Sequence, residues 1–221
     1  MPKVGLVLSG CGYLDGSEIQ ETVITLLALD RHGATVLCMA PNIDQMHVID
    51  HTTGEPMSGE KRNVLLEAAR IVRGQIKDIK DVSANDFDAL IFPGGYGAAQ
   101  NLSDFAVKGG DCSVNQDVER LIKETLEAHK PLGMICISPV VISKIHKGSS
   151  KKLKLTIGTD KDTANALIGM GTDHIDCPVK EHVVDKENKI VSSPAYMFGQ
   201  SRISEVAEGI EKTVQEVLGL I

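Results

Sequence analysis

Residues 3–40 read KVGLVLSGCGYLDGSEIQETVITLLALDRHGATVLCMA, and the apolar pattern within them changes period twice. Lys3 to Ser9 is a short apolar run ending in small residues, the pattern of a strand buried on both faces of a parallel sheet. Ser17-Glu-Ile-Gln20 has the form of a capping box, which predicts Ser17 at N-cap and Gln20 at N3. Ile19, Val23, Leu26 and Leu27, with Ile24 beside them, recur at helical spacing and predict an apolar stripe. Gly33 stands where a C′ glycine belongs. Thr35 to Ala40, closed by Pro41, predicts a second strand. Strand, helix and strand in this order make a βαβ unit, and hence a parallel sheet.

The alternation continues along the chain. Asp88 to Pro93, Pro131 to Ile135 and Lys152 to Gly158 read as further strands. Ser113-Val-Asn-Gln116 predicts a second capping box, opening a helix with Val114, Val118, Leu121, Ile122 and Leu126 on one face. Ser138 and Pro139 are an N-cap and N1 pair. Asp160 to Met170 predicts a helix. Val183-Val184 and Lys189 to Ser193 predict a hairpin turning at Glu187-Asn188. The last helix is expected from about Gln200, with Val206, Ile210, Val214 and Val217 on one stripe. The stretch 42–85 is less regular. It predicts a short strand at Met46 to Asp50, a turn at Thr52 to Pro56, and a helix through Val64, Leu65, Ala68, Ala69 and Val72 that ends at Gly74. No repeat, low-complexity segment or linker divides the chain. The expectation is one α/β domain over 1–221, a mainly parallel sheet covered on both faces.

Composition excludes several classes. The 221 residues are 42% hydrophobic and 24% charged, and a chain of this length buries roughly 70% of its unfolded surface. Acidic residues number 30 against 23 basic, a net charge of −7. That argues against nucleic acid as a partner, because phosphate binding needs a basic face. Aromatics are 3%, without Trp, which argues against base-stacking platforms. The longest uncharged run, Ala89 to Ser103, is 15 residues, short of the 18 or so that span a bilayer. Met-Pro-Lys leads straight into a strand pattern without signal or transit features. No membrane partner and a cytoplasmic location are therefore expected.

Five cysteines, at 11, 38, 112, 136 and 177, are odd in number and include no CxxC. A disulfide framework or zinc site is not expected. Cofactor motifs fail as well. Gly10-Cys-Gly12 resembles a dinucleotide turn, but Asp15 falls where the third glycine would lie. Gly54 and Gly59 are followed by Glu60-Lys61, so there is no P-loop. His47 and His51 are four apart with no Glu after His47. No cofactor and no metal are predicted.

Cys136 sits between a buried strand and a helix started by Ser138-Pro139, the strand–turn–helix of a nucleophile elbow. A helix N-terminus favours thiolate over thiol, so this position by itself predicts a lowered pKa. The alternative is a small buried residue closing a strand. Gly94-Gly95 ends another strand on the same sheet edge. Its amides, with the N–H of Ile137, would form an oxyanion hole; the alternative is a plain tight turn. Glu21 lies in the second turn of the first helix near that edge. A buried carboxyl there would have a raised pKa and pass protons to the thiol or an adduct. Glu18, one turn earlier, competes for the role, and a solvated helix acid is the alternative.

Together these residues resemble the PfpI/DJ superfamily, the class I glutamine amidotransferase-like, flavodoxin-like three-layer α/β sandwiches, over nearly the whole chain. Gly16 to Val23 resembles the first-helix motif, with its glutamate at Glu21. Leu90 to Leu102 resembles the oxyanion strand and loop, and Ile135-Cys-Ile-Ser-Pro139 the elbow. Asp185 to Ser193 and the last helix resemble the C-terminal hairpin and helix. The ElbB branch, known as isoprenoid-biosynthesis or glyoxalase proteins, is more similar still. Leu8 to Gly12, Asp15 to Ile19, Arg62 to Ile71, Leu155 to Asp160 and Ser193 to Met197 carry that resemblance. Cys11, Asp15 and Tyr196, within these runs, are candidate pocket residues, with packing as the alternative for Cys11.

The resemblance implies a Cys-dependent enzyme that converts glyoxal or methylglyoxal to glycolate or lactate without glutathione; some members are also described as protein deglycases. Cys136 would form a hemithioacetal, Gly95 and Ile137 would hold the oxyanion, and Glu21 would move the proton between the substrate carbons. One departure stands out. Ile137 follows Cys136 where active relatives have a His, Gly158-Thr159 occupies a second His position, and His146 and His174 are unplaced. The competing function is a redox or metabolite sensor, linked to isoprenoid metabolism, in which Cys136 is oxidised. The stretch 42–85 is expected to cover the site or build a dimer face, with Arg62, Arg70 and Arg73 toward an anion or solvent. A homodimer is the expected assembly.

Overall fold

The structure, a computed structural model, describes residues 1–221. In chain order its strands are β1 (Lys3–Val7), β2 (Thr35–Ala40), β3 (Ile49–Asp50), β4 (Glu55–Pro56), β5 (Lys77–Asp78), β6 (Ala89–Phe92), β7 (Leu132–Ile135), β8 (Lys154–Leu155), β9 (Asp173–His174), β10 (Val183–Asp185) and β11 (Ile190–Ser193). Its helices are α1 (Ile19–Arg31), α2 (Val64–Ile71), α3 (Tyr96–Gln100), α4 (Phe105–Lys108), α5 (Gln116–Glu127), α6 (Pro139–His146), α7 (Lys161–Gly169) and α8 (Ile203–Gly219).

Seven strands form one sheet in the order β10-β11-β7-β6-β1-β2-β5. All neighbours are parallel except the β10–β11 hairpin at the edge. Because strand side chains alternate between faces, Val4, Leu6, Ile91, Ile135 and Val191 meet α1, α2 and α8 on one side. Val7, Leu90, Phe92, Met134 and Ile190 meet α5, α6 and α7 on the other. This is the expected three-layer sandwich. The loops after β1, β6, β7 and β11 leave the sheet on one edge. Open parallel sheets place their ligand crevice there.

Several local expectations need correction. The N-cap of α1 is Glu18, whose carboxylate accepts the Glu21 N–H at 2.5 Å. Ser17 turns inward instead, and its hydroxyl accepts the Ser9 N–H at 2.8 Å. The N-cap of α5 is Asn115, not Ser113. Ser138 holds the N-cap position of α6, but its hydroxyl donates to the Phe92 carbonyl at 3.1 Å. The α1 stripe is only partly met: Ile24 and Leu26 pack against the core, but the rest of it faces outward. Ile19, Val23 and Leu27 are 43%, 47% and 45% exposed, while Glu21, Thr22, Thr25, Ala28 and Leu29 are buried. Small residues on the inner face let α1 lie close against α8, and Thr25 satisfies its hydroxyl on the Glu21 carbonyl at 2.7 Å. Only that rotation carries Glu21 to the sheet edge.

The Lys152–Gly158 strand is real but short, and β8 pairs with β9 outside the main sheet. Within 42–85, β3 and β4 form a hairpin, Asn63 caps α2 by accepting the Leu66 N–H, and β5 adds an unexpected edge strand beside β2. The hairpin is tied down by Asp15, whose buried carboxylate accepts the Ile49 N–H at 2.8 Å.

Candidate active site

Cys136 follows β7 and has φ +60, a left-handed conformation that costs an L-residue about 1–2 kcal/mol. Neighbouring bonds hold it there. The Cys136 N–H donates to the Ser193 carbonyl at 2.8 Å, and Ser138 N–H to the Ile135 carbonyl at 3.1 Å. The turn aims the sulfur out of the sheet edge while the residue stays 7% exposed.

Glu21 lies beneath it, fully buried. One carboxylate oxygen accepts the Gly94 N–H at 2.8 Å and the other accepts the Tyr196 N–H at 3.0 Å. The carboxyl also lies beside the Cys136 sulfur, both flanking Gly94. Burial, together with the Glu18 carboxylate nearby, pushes Glu21 up to about 7 against the pull of those donors. Tyr196 reaches it because Ala195, after Pro194, takes φ +43. The Tyr196 hydroxyl donates to Gln20.

Gly94 and Gly95 are where glycine is required. A Cβ on Gly94 would strike the Cβ and Sγ of Cys136. Gly95 has φ +94, and a Cβ there would strike the backbone at Gly16 and Glu18. The Gly94 amide is given to Glu21, so it is not an oxyanion donor as expected. The amides of Gly95 and Ile137 instead point at the Cys136 sulfur.

The expected lowering of the Cys136 pKa is overturned. Burial, then the neighbouring Glu21 carboxyl, raises the thiol well above its ordinary value, and the two amides do not outweigh them. Burial raises the other four cysteines too. What separates Cys136 from them is the carboxyl that touches it.

A cavity of about 340 Å³ opens over Cys136. Tyr196, Gly95, Ile137 and Glu18, the competing acid, line it, as do Tyr13, Tyr96, Phe105 and Asp160, which the residue patterns did not single out for the pocket. Their signal was faint: Tyr13 and Tyr96 follow glycine-rich turns at strand ends. Cys11 and Asp15 are not in its lining. Cys11 is half-buried and faces the Glu67, Arg70 and Arg62 cluster. Asp15 anchors β3. Nor does 42–85 cover the cavity; it supports the loop below, where His51 accepts the Leu14 N–H and stacks edge-on against Tyr13. Arg62, just ahead of α2, and Arg70 within it both pair with Glu67 of that helix. No histidine lines the cavity. His146 bonds the Lys151 carbonyl, and half-buried His174 sits against Ile157 and Asp176.

A cysteine on a strained strand-to-helix turn, a buried carboxyl against its sulfur and a glycine pair facing it define a class of α/β protein with an elbow at the sheet edge. The chain belongs to the DJ-1/PfpI family, whose model matches residues 12–198. It is 47% identical over 99% of its length to the human "Glutamine amidotransferase-like class 1 domain-containing protein 3, mitochondrial", covering 83% of that protein. It is 35% identical over 98% of its length to the Danio rerio "ES1 protein, mitochondrial", covering 85% of it. A crystal structure from Ehrlichia chaffeensis, described as an isoprenoid biosynthesis protein with an amidotransferase-like domain, superposes with a TM-score of 0.92 at 38% identity over 100% and 99% of the two chains. The superfamily resemblance is thereby met, including its isoprenoid-biosynthesis branch. The human and fish relatives are mitochondrial by name, which does not match the cytoplasmic expectation. No helix is long and apolar enough to cross a membrane.

Proposed function

We propose that the protein is a glutathione-independent glyoxalase, converting 1,2-dicarbonyl compounds such as glyoxal and methylglyoxal to 2-hydroxy acids through Cys136. One observation carries this reading: the fully buried Glu21 carboxyl, pushed up to about 7, lies beside the Cys136 thiol. A general base is most effective when its pKa lies near the working pH.

As the sulfur adds to the aldehyde carbon, the thiol proton passes to Glu21 and the carbonyl electron pair moves to oxygen. The amides of Gly95 and Ile137 stabilise the oxyanion, and protonation by Glu21 completes the hemithioacetal. Glu21 then removes the hydrogen on that carbon as a proton and delivers it to the neighbouring carbonyl oxygen, giving an enediol. Return of a proton to the second carbon yields a thioester. The first carbon is oxidised and the second reduced, so no external oxidant or reductant enters. Water cleaves the thioester, releasing the hydroxy acid and restoring the thiol. Without a histidine in the cavity, one carboxyl serves every proton step. A deglycase reaction would begin with the same thiol at the carbonyl-derived carbon of an amine adduct.

The redox-sensor alternative draws less support. Peroxide reacts with thiolate, and a thiol raised by burial presents little of it. The deciding measurement is turnover of glyoxal and methylglyoxal by wild type, Cys136→Ser and Glu21→Gln. Loss of about 100-fold or more in kcat/KM in both variants is expected. Equal rates in all three proteins would end the enzyme reading.

A further inference from the structure

The cavity selects among carbonyl compounds by charge and by bulk. We infer that its substrates carry an apolar body and no anionic group, and that Asp160 is a residue that sets this selection. The inference rests on the carbonyl chemistry proposed for Cys136 and names the substrate class that the surrounding walls admit.

The first observation is size and surface. A water occupies about 30 Å³ of liquid, so a cavity of about 340 Å³ exceeds what a two-carbon dicarbonyl fills. Its walls are aromatic and aliphatic. All three tyrosines of the chain line it, with Phe105 and Met197. Tyr13 and Tyr96 stand 49% and 51% exposed at its margin, in a chain that is only 3% aromatic. A group of phenyl size would bury apolar surface against such a wall, which glyoxal cannot provide.

The second observation is charge. No lysine or arginine lines the cavity, whereas Glu18 and Asp160 do. Three helices of eight or more residues, α1, α6 and α7, start at it. A helix start attracts anions through its unpaired N–H groups. Here each start is already engaged. The α1 start is capped by the Glu18 carboxylate, which accepts the Glu21 N–H. The α7 start is capped by Asp160, which accepts the Thr163 N–H at 2.9 Å and is held ionised by bonds from Thr163. The α6 start directs its Ile137 amide at the sulfur. A carboxylate, phosphate or diphosphate ester entering the cavity would meet the Asp160 charge and find no free donor cluster. A neutral or cationic compound meets no such penalty. The device is exclusion by like charge.

The test compares phenylglyoxal, glyoxal and para-carboxyphenylglyoxal as substrates. Wild type is expected to favour phenylglyoxal over each of the others by about tenfold or more in kcat/KM. Asp160→Asn, which keeps a competent helix cap, is expected to narrow the gap between phenylglyoxal and its carboxylate by about threefold. Equal turnover of the two aryl compounds overturns the charge selection, and an unchanged gap in Asp160→Asn overturns the role of that residue. Glyoxal turned over as well as phenylglyoxal overturns the selection by bulk.

A second readout separates this inference from the catalytic reading. Alkylation of Cys136 by iodoacetamide, followed by peptide mass spectrometry, is measured with benzaldehyde or para-carboxybenzaldehyde present. If no dicarbonyl is turned over, the catalytic reading fails, but stronger protection by benzaldehyde still supports the selection. Equal or stronger protection by the carboxylate overturns it.

Discussion

Glu21 binds its proton more tightly in the folded protein than an ordinary carboxyl does, near 7 against 4.5. The sign of its pH linkage follows. Its stabilising contribution is complete below about 4.5 and is lost as the pH rises through about 7, a difference on the order of 3 kcal/mol. Other carboxylates tilt the whole curve, so the measurable quantity is wild type minus Glu21→Gln. By chemical denaturation from pH 4.5 to 8, that difference is expected to fall steadily, and a flat difference would refute the raised pKa. Activity runs the other way: the ionised carboxyl is the base, so kcat/KM is expected to rise along a limb centred near pH 7. Gly94 makes an independent test. An alanine Cβ there collides with Cys136, and Gly94→Ala is expected to cost about 1–3 kcal/mol by equilibrium unfolding. A neutral result would mean that the glycine–elbow contact is looser than the structure shows. Cys136 was legible from its place between strand and helix. Its raised pKa was not, because burial and the Glu21 contact arise from segments distant in the chain.

At the scale of the element, α1 shows how a correct helix can be assigned the wrong face. Ile24 and Leu26 of its predicted stripe pack against the core, but Ile19, Val23 and Leu27 form a row that faces outward. Spacing reports periodicity, not direction. Here the inner face is set by the close approach to α8 and by two amide donors, from Gly94 and Tyr196, that hold Glu21 inside. Consequently Val23→Glu and Leu27→Glu are expected to change stability by less than about 0.5 kcal/mol. Ala28→Leu, on the buried face, is expected to cost about 1–3 kcal/mol. Thermal or urea unfolding of the three variants decides it, and a reversed order would restore the outward stripe to the core. The cap of α1 has a similar lesson. Ser17 has the better intrinsic preference, but its hydroxyl is committed to Ser9, which leaves the cap to Glu18.

For the whole molecule, one sheet serves two cores. Leu90 and Ile91 are adjacent in β6, fully buried, and point to opposite faces. Leu90→Ala and Ile91→Ala are each expected to lower stability by about 2–5 kcal/mol. Because both cores hang on the same strands, each variant is expected to unfold in one transition. Far-UV circular dichroism follows the helices. Tyrosine fluorescence follows the cavity, since all three tyrosines line it. Non-coincident curves would show that the cavity edge unfolds separately from the sheet.

The order of strands and helices, the parallel sheet, the elbow at Cys136 and the glycine turn at Gly94 were determined by the amino-acid sequence alone. Each depends on neighbours within a few residues: period-two or helical spacing, a proline at N1, a glycine pair after a strand. The tertiary structure decided the direction each helix faces, the partner of each carboxylate and the protonation of the thiol. It turned Asp15 into an anchor, gave the Gly94 amide to Glu21 and gathered the scattered tyrosines around one cavity. These outcomes are set by which long-range groups compete for a given hydrogen bond and how much water is excluded around them, and that competition exists only once the chain is packed.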